Sequence, residues 1–168
     1  IAVDLIGPWK VTLHGQEFIF QALTVIDLVT NFPEIIRVNN RTAYHVCRQL
    51  ENAWLSRYPR PVRCQYDQGG EFIGLDFTQI LRNHGIKEVP LTAKNPQANA
   101  LLERLHLTTV ANVLRTLVHF HQPNNLNDLV DLVDSALQTA AYSARVAIHG
   151  TLKHSPGSLA FHRDMLYD

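Results

Sequence analysis

Three acidic residues lie at points where the local pattern of this chain changes. Asp4 lies within an apolar run, Asp67 ends another apolar run before a glycine pair, and Glu103 lies in a helical pattern. Between Asp4 and Asp67 there are 62 residues, and between Asp67 and Glu103 there are 35. A carboxylate on an apolar strand is costly unless a cation neutralises it. Three carboxylates suit Mg²⁺, a hard cation that prefers oxygen ligands, so the pattern predicts a metal-dependent enzyme that acts on phosphates.

The predicted chemistry uses two Mg²⁺ or Mn²⁺ ions. Three clustered carboxylates repel one another and take up protons unless metal ions arrive. Two ions bridged by Asp4 would hold both the attacking and the leaving oxygen of a phosphodiester and would activate water or a 3′-hydroxyl as the nucleophile. The sequence offers no Ser, His or Cys constellation for a covalent intermediate.

The elements that position these acids are predicted from apolar periodicity and turn residues. Strands are predicted over 1–6, 18–27, 32–38, 62–66 and 86–89. Helices are predicted over 42–57, 75–83, 96 or 99 to 119, and 126–148, followed by a tail of turns over 151–168. Gly85 is predicted to end the 75–83 helix in a left-handed conformation. The order predicts an α/β fold, a mixed sheet of three antiparallel and two parallel strands with helices on both faces.

That architecture brings the acids together. The first strand is expected at the centre of the sheet with the fourth beside it, so Asp4 and Asp67 would project from neighbouring strands. Glu103 would reach them from the long helix.

Bulk composition sets further bounds. The chain has 168 residues, 46% of them hydrophobic, which suits a single domain with a sizeable core. Its net charge is zero, so DNA binding would need a local basic stripe or other domains. Cys47 and Cys64 form no CxxC pair, which favours a reducing compartment, and no histidine has Cys partners at zinc spacing, so no zinc is expected. No apolar run reaches the roughly 18 residues of a membrane span.

Five segments carry a family resemblance: VDLIGPW, YDQGGEFIG, HGIK, KNPQANALLERLH and SPGSLAFHRDML. Together they resemble the integrase catalytic core of gypsy-type LTR retrotransposons, in the retroviral integrase superfamily. The resemblance implies an RNase H-like fold and a nucleotidyltransferase and endonuclease for DNA integration, through 3′-end processing and strand transfer. It also implies that Asp4, Asp67 and Glu103 are the catalytic residues and the ligands of both metal ions.

The same resemblance implies the partners. They are element-end DNA, target DNA and further copies of the chain, as a dimer or higher homo-oligomer, with no membrane. Residues 1–168 would be one core domain of a longer protein whose zinc-binding N-terminal and C-terminal DNA-binding domains are absent here. The expected location is an element-encoded particle that passes from cytoplasm to nucleus.

A polar loop before Glu103 is implied to be the active-site loop that touches DNA ends. Its expected DNA contacts, together with one basic residue on the following helix, are Lys94, Asn95, Gln97, Asn99 and Arg104. The alternative is a solvated loop in which Asn95 caps the helix and Arg104 carries ordinary surface charge.

A group of three residues that follows Asp67 also has two interpretations. Gly69 and Gly70 either let DNA approach the metal site or form a turn that needs positive φ. Glu71 is either a spare metal ligand or a hydrogen-bonding turn residue.

Two rival functions stay open. One is a domesticated, non-catalytic DNA-binding or scaffold protein, against which the intact triad argues. The other is an RNase H-like nuclease, against which the segment around Glu103 argues. A strand-transfer assay would separate all three.

Overall fold

A computed structural model describes residues 1–91, 112, 116, 120–150 and 152–166 of the chain. The strands are β1 (Ala2–Leu13), β2 (Gln16–Ile26), β3 (Pro33–Val38), β4 (Arg63–Tyr66) and β5 (Lys87–Pro90). The helices are α1 (Ala43–Leu50), which continues as a π-helical turn over Glu51–Leu55, then α2 (Gly70–Ile73), α3 (Leu75–Asn83), α4 (Leu126–Val146) and α5 (Pro156–Phe161). Most of the predicted helix ending at 119 lies outside the described residues, although Asn112, Thr116 and Phe120 are helical.

The five strands form one mixed sheet in the order β3-β2-β1-β4-β5. β1 pairs antiparallel with β2, and β2 antiparallel with β3. β4 joins the other side of β1 in parallel, and β5 pairs in parallel with β4. The predicted α/β architecture, with β1 central and β4 beside it, is therefore confirmed.

Each face of the sheet is covered by helices, as predicted. One core joins residues of β1, β2 and β4, such as Val3, Leu23 and Tyr66, to the side chains of α1, α2 and α3. The other core joins Ile6 and Ala22 to α4 through its buried stripe of Leu129, Val133, Ala136, Leu137, Ala140 and Ala141. Strand residues alternate between the two faces, so neighbours in sequence enter different cores.

The first strand is longer than predicted. It was predicted over 1–6, but β1 continues past the Gly7-Pro8 pair to Leu13. Its pairing with β2 shifts register between Ile6 and Trp9, where the Gly7-Pro8 peptide is cis and Gly7 has φ +102°. An irregular strand position accommodates proline because the missing N–H falls outside the ladder.

Some of the other local predictions are confirmed and others are wrong. The 75–83 helix is confirmed, and Gly85 after it has φ +63° as expected of a left-handed cap. The prediction of a tail of turns over 151–168 is wrong for Pro156–Phe161, which is helical. Its cap is Ser155, whose Oγ accepts the backbone N–H of Ser158 at 3.1 Å. Short α2 was also missed. Within the residues the structure describes, no helix is both long and apolar enough to cross a bilayer.

Candidate active site

Asp4 lies on the central strand of the sheet and is half-buried. Its Oδ1 accepts the backbone N–H of Leu5 at 2.8 Å. Its backbone carbonyl accepts the hydroxyl of Thr24, its cross-strand neighbour on β2, at 3.0 Å. The backbone of Asp4 is therefore held on the β2 side both by the β1–β2 strand pairing and by the fully buried side chain of Thr24.

Asp67 follows the last residue of β4 directly and is exposed. The parallel pairing places Ala2 beside Gln65 and Val3 beside Tyr66. One further step along both chains leads from Val3 to Asp4 and from Tyr66 to Asp67. The strand register thus brings two of the three predicted acids alongside each other.

Gly69 holds the Asp67 side chain. Its backbone N–H donates to Asp67 Oδ1 at 2.9 Å. The expectation of positive φ is wrong, because Gly69 has φ −59° and Gly70 is not among the positive-φ glycines. A side chain at Gly69 would instead crowd its neighbours, since a Cβ there would lie 3.0 Å from Asp67 Oδ1 and 3.1 Å from Glu71 Cδ. Close approach of two carboxylates, rather than backbone conformation, favours glycine here.

Glu71 lies in the first turn of α2 and forms an ion pair with Arg41, with Nη2 3.2 Å from Oε1. This contact favours the structural interpretation of Glu71 over that of a spare metal ligand. Sequence reasoning missed Arg41 because it lies 30 positions from Glu71, beyond the reach of any local pattern.

The remaining predicted site residues lie outside the described residues: Lys94, Asn95, Gln97, Asn99, Glu103 and Arg104. In the part of the chain that the structure describes, no group of three or more His, Cys, Asp or Glu side chains is placed to hold a metal ion. The two acids, Asp4 on β1 and Asp67 directly after β4, offer hard carboxylate oxygens, a donor set that fits Mg²⁺ or Mn²⁺. A complete site of the predicted kind needs Glu103 as well.

Neither cysteine offers a nucleophile. Cys47 and Cys64 are free and buried, and burial raises the pKa of each thiol to about 12. Thiolate is the reactive form, so neither side chain is activated near neutral pH.

A cavity of about 710 Å³ lies beside the starts of β1 and β4. Arg63 at the start of β4 lines it, together with Phe32, Trp54 and Phe161. Its lining includes neither Asp4 nor Asp67, so the candidate active site lies outside this cavity.

Residues 7–96 match the family described as Integrase core domain, which is more than half of the chain. The chain belongs to the integrase core domain family. Asp67 lies inside the matched range, whereas Asp4 and Glu103 lie outside it.

The chain is also similar to part of a transposon polyprotein. The integrase core is 27% identical over 108 residues to the retrovirus-related Pol polyprotein from transposon 412 of Drosophila melanogaster. The match covers 64% of this chain and 8% of the polyprotein, so the chain spans a small part of that relative's length.

Solved structures share the fold. The chain is similar to a chain of the simian T-cell lymphotropic virus intasome in complex with the PP2A regulatory subunit B56 gamma. That match has a TM-score of 0.75 and 13% identity, and it covers 99% of this chain and 55% of that one. The HTLV-2 integrase catalytic core domain in complex with magnesium matches with a TM-score of 0.69 and 13% identity, over 95% of this chain and 93% of that one. The BIV integrase catalytic core domain matches with a TM-score of 0.68 and 16% identity, over 96% of this chain and 93% of that one. The integrase core therefore has the RNase H-like fold that the sequence predicted.

Proposed function

We propose that this integrase core catalyses 3′-end processing and DNA strand transfer for an LTR retrotransposon or retrovirus-like element. The observation that supports the proposal is the parallel register of β1 and β4, in which the paired residues Val3 and Tyr66 directly precede Asp4 and Asp67. In the proposal, Asp4, Asp67 and Glu103 hold two Mg²⁺ or Mn²⁺ ions. Magnesium in the similar HTLV-2 core supports that choice of ion.

The protein's own contribution is to orient the two carboxylates before the ions arrive. One oxygen of each carboxylate accepts a backbone N–H, from Leu5 to Asp4 and from Gly69 to Asp67. These bonds restrict side-chain rotation, so less conformational entropy is lost on metal binding. When bound, the ions supply Lewis acidity at the attacking and leaving oxygens of a phosphodiester.

The DNA partners in this proposal are an element end and a target duplex. Lys94 and Arg104 would neutralise phosphates, and Asn95, Gln97 and Asn99 would contact DNA near the reactive end. The core would act as a homo-oligomer, because joining two DNA ends requires at least two active sites at a fixed spacing. The dimeric and trimeric forms of the similar HTLV-2 core support this part of the proposal.

A strand-transfer assay with donor and target oligonucleotides tests the function in Mg²⁺ and in Mn²⁺. Asp4→Asn, Asp67→Asn and Glu103→Gln keep side-chain shape and remove charge. Each should lower the rate on the order of a thousandfold, because a lost ligand costs several kcal/mol of transition-state stabilisation. Asp131→Asn is the matched control, since Asp131 is an exposed carboxylate on α4 that the proposed site does not use.

The outcomes separate the rival functions. DNA cleavage without joining would favour a nuclease of the same fold. DNA binding without cleavage or joining by the wild type would favour a non-catalytic scaffold. Activity within about tenfold of wild type in any of the three variants would show that the altered residue is not a metal ligand. Circular dichroism of each variant checks that the fold is retained.

A further inference from the structure

An ion pair beside Asp67 joins two separate segments of the chain. Arg41 lies in the loop between β3 and α1, and Glu71 lies on α2, with 3.2 Å between Arg41 Nη2 and Glu71 Oε1. The Glu71 side chain is only 13% exposed, whereas that of Arg41 is 57% exposed. The more buried carboxylate therefore has its charge offset by a cation reaching in from the surface.

A short series of hydrogen bonds connects this pair to Asp67. The N–H of Gly69 donates to Asp67 Oδ1 at 2.9 Å. The carbonyl of the same glycine accepts the N–H groups of Phe72 at 2.9 Å and Ile73 at 3.1 Å, which are the residues directly after Glu71. Phe72 is fully buried in the core. Gly69, whose N–H orients Asp67, thus also accepts the hydrogen bonds of the turn that carries Glu71.

The two carboxylates flank one glycine. The space beside Gly69 that a Cβ would occupy lies 3.0 Å from Asp67 Oδ1 and 3.1 Å from Glu71 Cδ. Two negative charges on either side of one residue repel each other, and an opposite charge nearby offsets that repulsion. The Arg41 guanidinium provides that opposite charge and draws the Glu71 carboxylate toward itself.

Arg41 is presented from a well-anchored segment. The backbone N–H of Thr42 donates to Asn40 Oδ1 at 2.7 Å, and Thr42 is the N-cap of α1. The start of α1 packs closely on the end of α2, because a Cβ on Gly74 would lie 2.9 Å from the Cβ of Ala43. The ion pair therefore bridges two elements that already meet in the core.

We propose that Arg41 is a positioning residue for the metal site and that it acts through Glu71. The pair holds the Glu71 carboxylate away from the ions and fixes the α2 turn that orients Asp67. This inference rests on the proposed function in one respect, namely that Asp67 is a metal ligand.

Manganese binding to the chain with donor DNA tests the inference, measured by the electron paramagnetic resonance signal of free Mn²⁺. Arg41→Ala should raise the Kd for Mn²⁺ by about tenfold, the effect expected when an outer partner of a metal ligand is lost. Glu71→Ala should do the same, and the double variant should bind no more weakly than either single variant, since both changes remove one interaction. Arg41→Lys should restore part of the affinity.

Three controls distinguish positioning from other roles. Lys10→Ala removes the Lys10–Glu17 pair of 3.0 Å on the β1–β2 hairpin and should leave the Kd for Mn²⁺ unchanged. The melting temperature of Arg41→Ala without metal should match wild type, and fluorescence anisotropy should show unchanged affinity for donor DNA. A loss of Mn²⁺ affinity that tracks lower stability or weaker DNA binding would overturn the positioning role.

Asp67→Asn separates failure of this inference from failure of the proposed function. Equal Mn²⁺ binding by wild type and Asp67→Asn, or none by wild type, would contradict the metal site itself. If Asp67→Asn abolishes binding while Arg41→Ala and Glu71→Ala leave it unchanged, only the inference fails. Tighter Mn²⁺ binding by Arg41→Ala would also overturn it, because Glu71 would then have become a ligand.

Discussion

At the scale of single residues, Glu34 shows how this fold neutralises a carboxylate from within. Glu34 is 4% exposed, and its Oε1 accepts the hydroxyl of Tyr58 at 2.5 Å. Arg145 Nη2 lies 2.6 Å from Oε2 as an ion pair, and Arg145 Nε donates to the carbonyl of Pro33 at 2.9 Å. Burial, followed by the bond to Glu34, raises the pKa of Tyr58 to about 12, so this hydroxyl remains a donor at neutral pH. Glu34 thus needs no bound metal ion.

Arg145→Ala should therefore be among the more destabilising substitutions in the chain. Removing one partner of a buried ion pair leaves an uncompensated charge, which typically costs about 3–5 kcal/mol. Urea denaturation should show a loss of this order in the free energy of unfolding. Lys10→Ala, which breaks an exposed ion pair, should change it by about 0.5 kcal/mol or less. A loss below about 1 kcal/mol for Arg145→Ala would mean that Glu34 finds another partner or becomes protonated.

At the scale of elements, the irregular position in β1 decides how far the central strand extends. The β1–β2 ladder runs from Ala2 to Ile6, breaks, and resumes from Trp9 to Leu13. Gly7 sits at the break with φ +102°, a conformation that side chains disfavour. The strand beyond the break packs Trp9 and Val11 against the core on the α4 side. One glycine therefore links the part of β1 that carries Asp4 to the part that extends the core.

Gly7→Ala should destabilise the fold by roughly 1–3 kcal/mol, the usual cost of a strained backbone position. A Cβ at Gly7 would also lie 2.9 Å from the carbonyl oxygen of Phe20, so backbone must move as well. Gly150→Ala is the matched control, because a Cβ there meets nothing within 4 Å and φ is not positive. The melting temperatures of the two variants are compared by thermal unfolding monitored with circular dichroism. Equal melting temperatures would show that the break tolerates a side chain.

At the scale of the whole molecule, charge and exposed apolar surface bear on assembly. The net charge is zero, so electrostatic repulsion between copies is weak. Large apolar side chains are exposed on two helices, with Tyr44 on α1 and Leu126 and Tyr142 on α4. These features favour association through α1 and α4, most simply about a two-fold axis.

We expect light scattering at micromolar concentration to show a dimer or larger assembly. Tyr44→Glu should weaken association, because it places a charge in the predicted interface. Ile19→Glu is the matched control, since Ile19 on β2 is 57% exposed against 58% for Tyr44 and lies outside both helices. A monomer over a wide concentration range would rule out self-association of this core alone. Equal weakening by both variants would place the interface elsewhere.

The sequence by itself determined most of the strands and helices, although it missed α2 and α5 and ended β1 too early. Periodicity defined the 75–83 helix, and glycine's tolerance of positive φ identified Gly85 as its cap, because both signals arise between residues near in sequence. The predicted order of elements was enough to place β4 beside the central β1. These predictions needed no knowledge of which side chains meet across the core.

Only the tertiary structure decided contacts between distant segments. Two ion pairs join residues that are far apart in the chain, Arg41 with Glu71 and Arg145 with Glu34. No local sequence pattern predicts either pair. The extension of β1 past Gly7 was decided by pairing with β2, which overrode a strong turn signal. The role of Gly69 likewise follows from two carboxylates that close on it in space, since its own φ is unexceptional. Local chemistry restricts backbone conformation, whereas packing and charge neutralisation depend on neighbours that only the fold supplies.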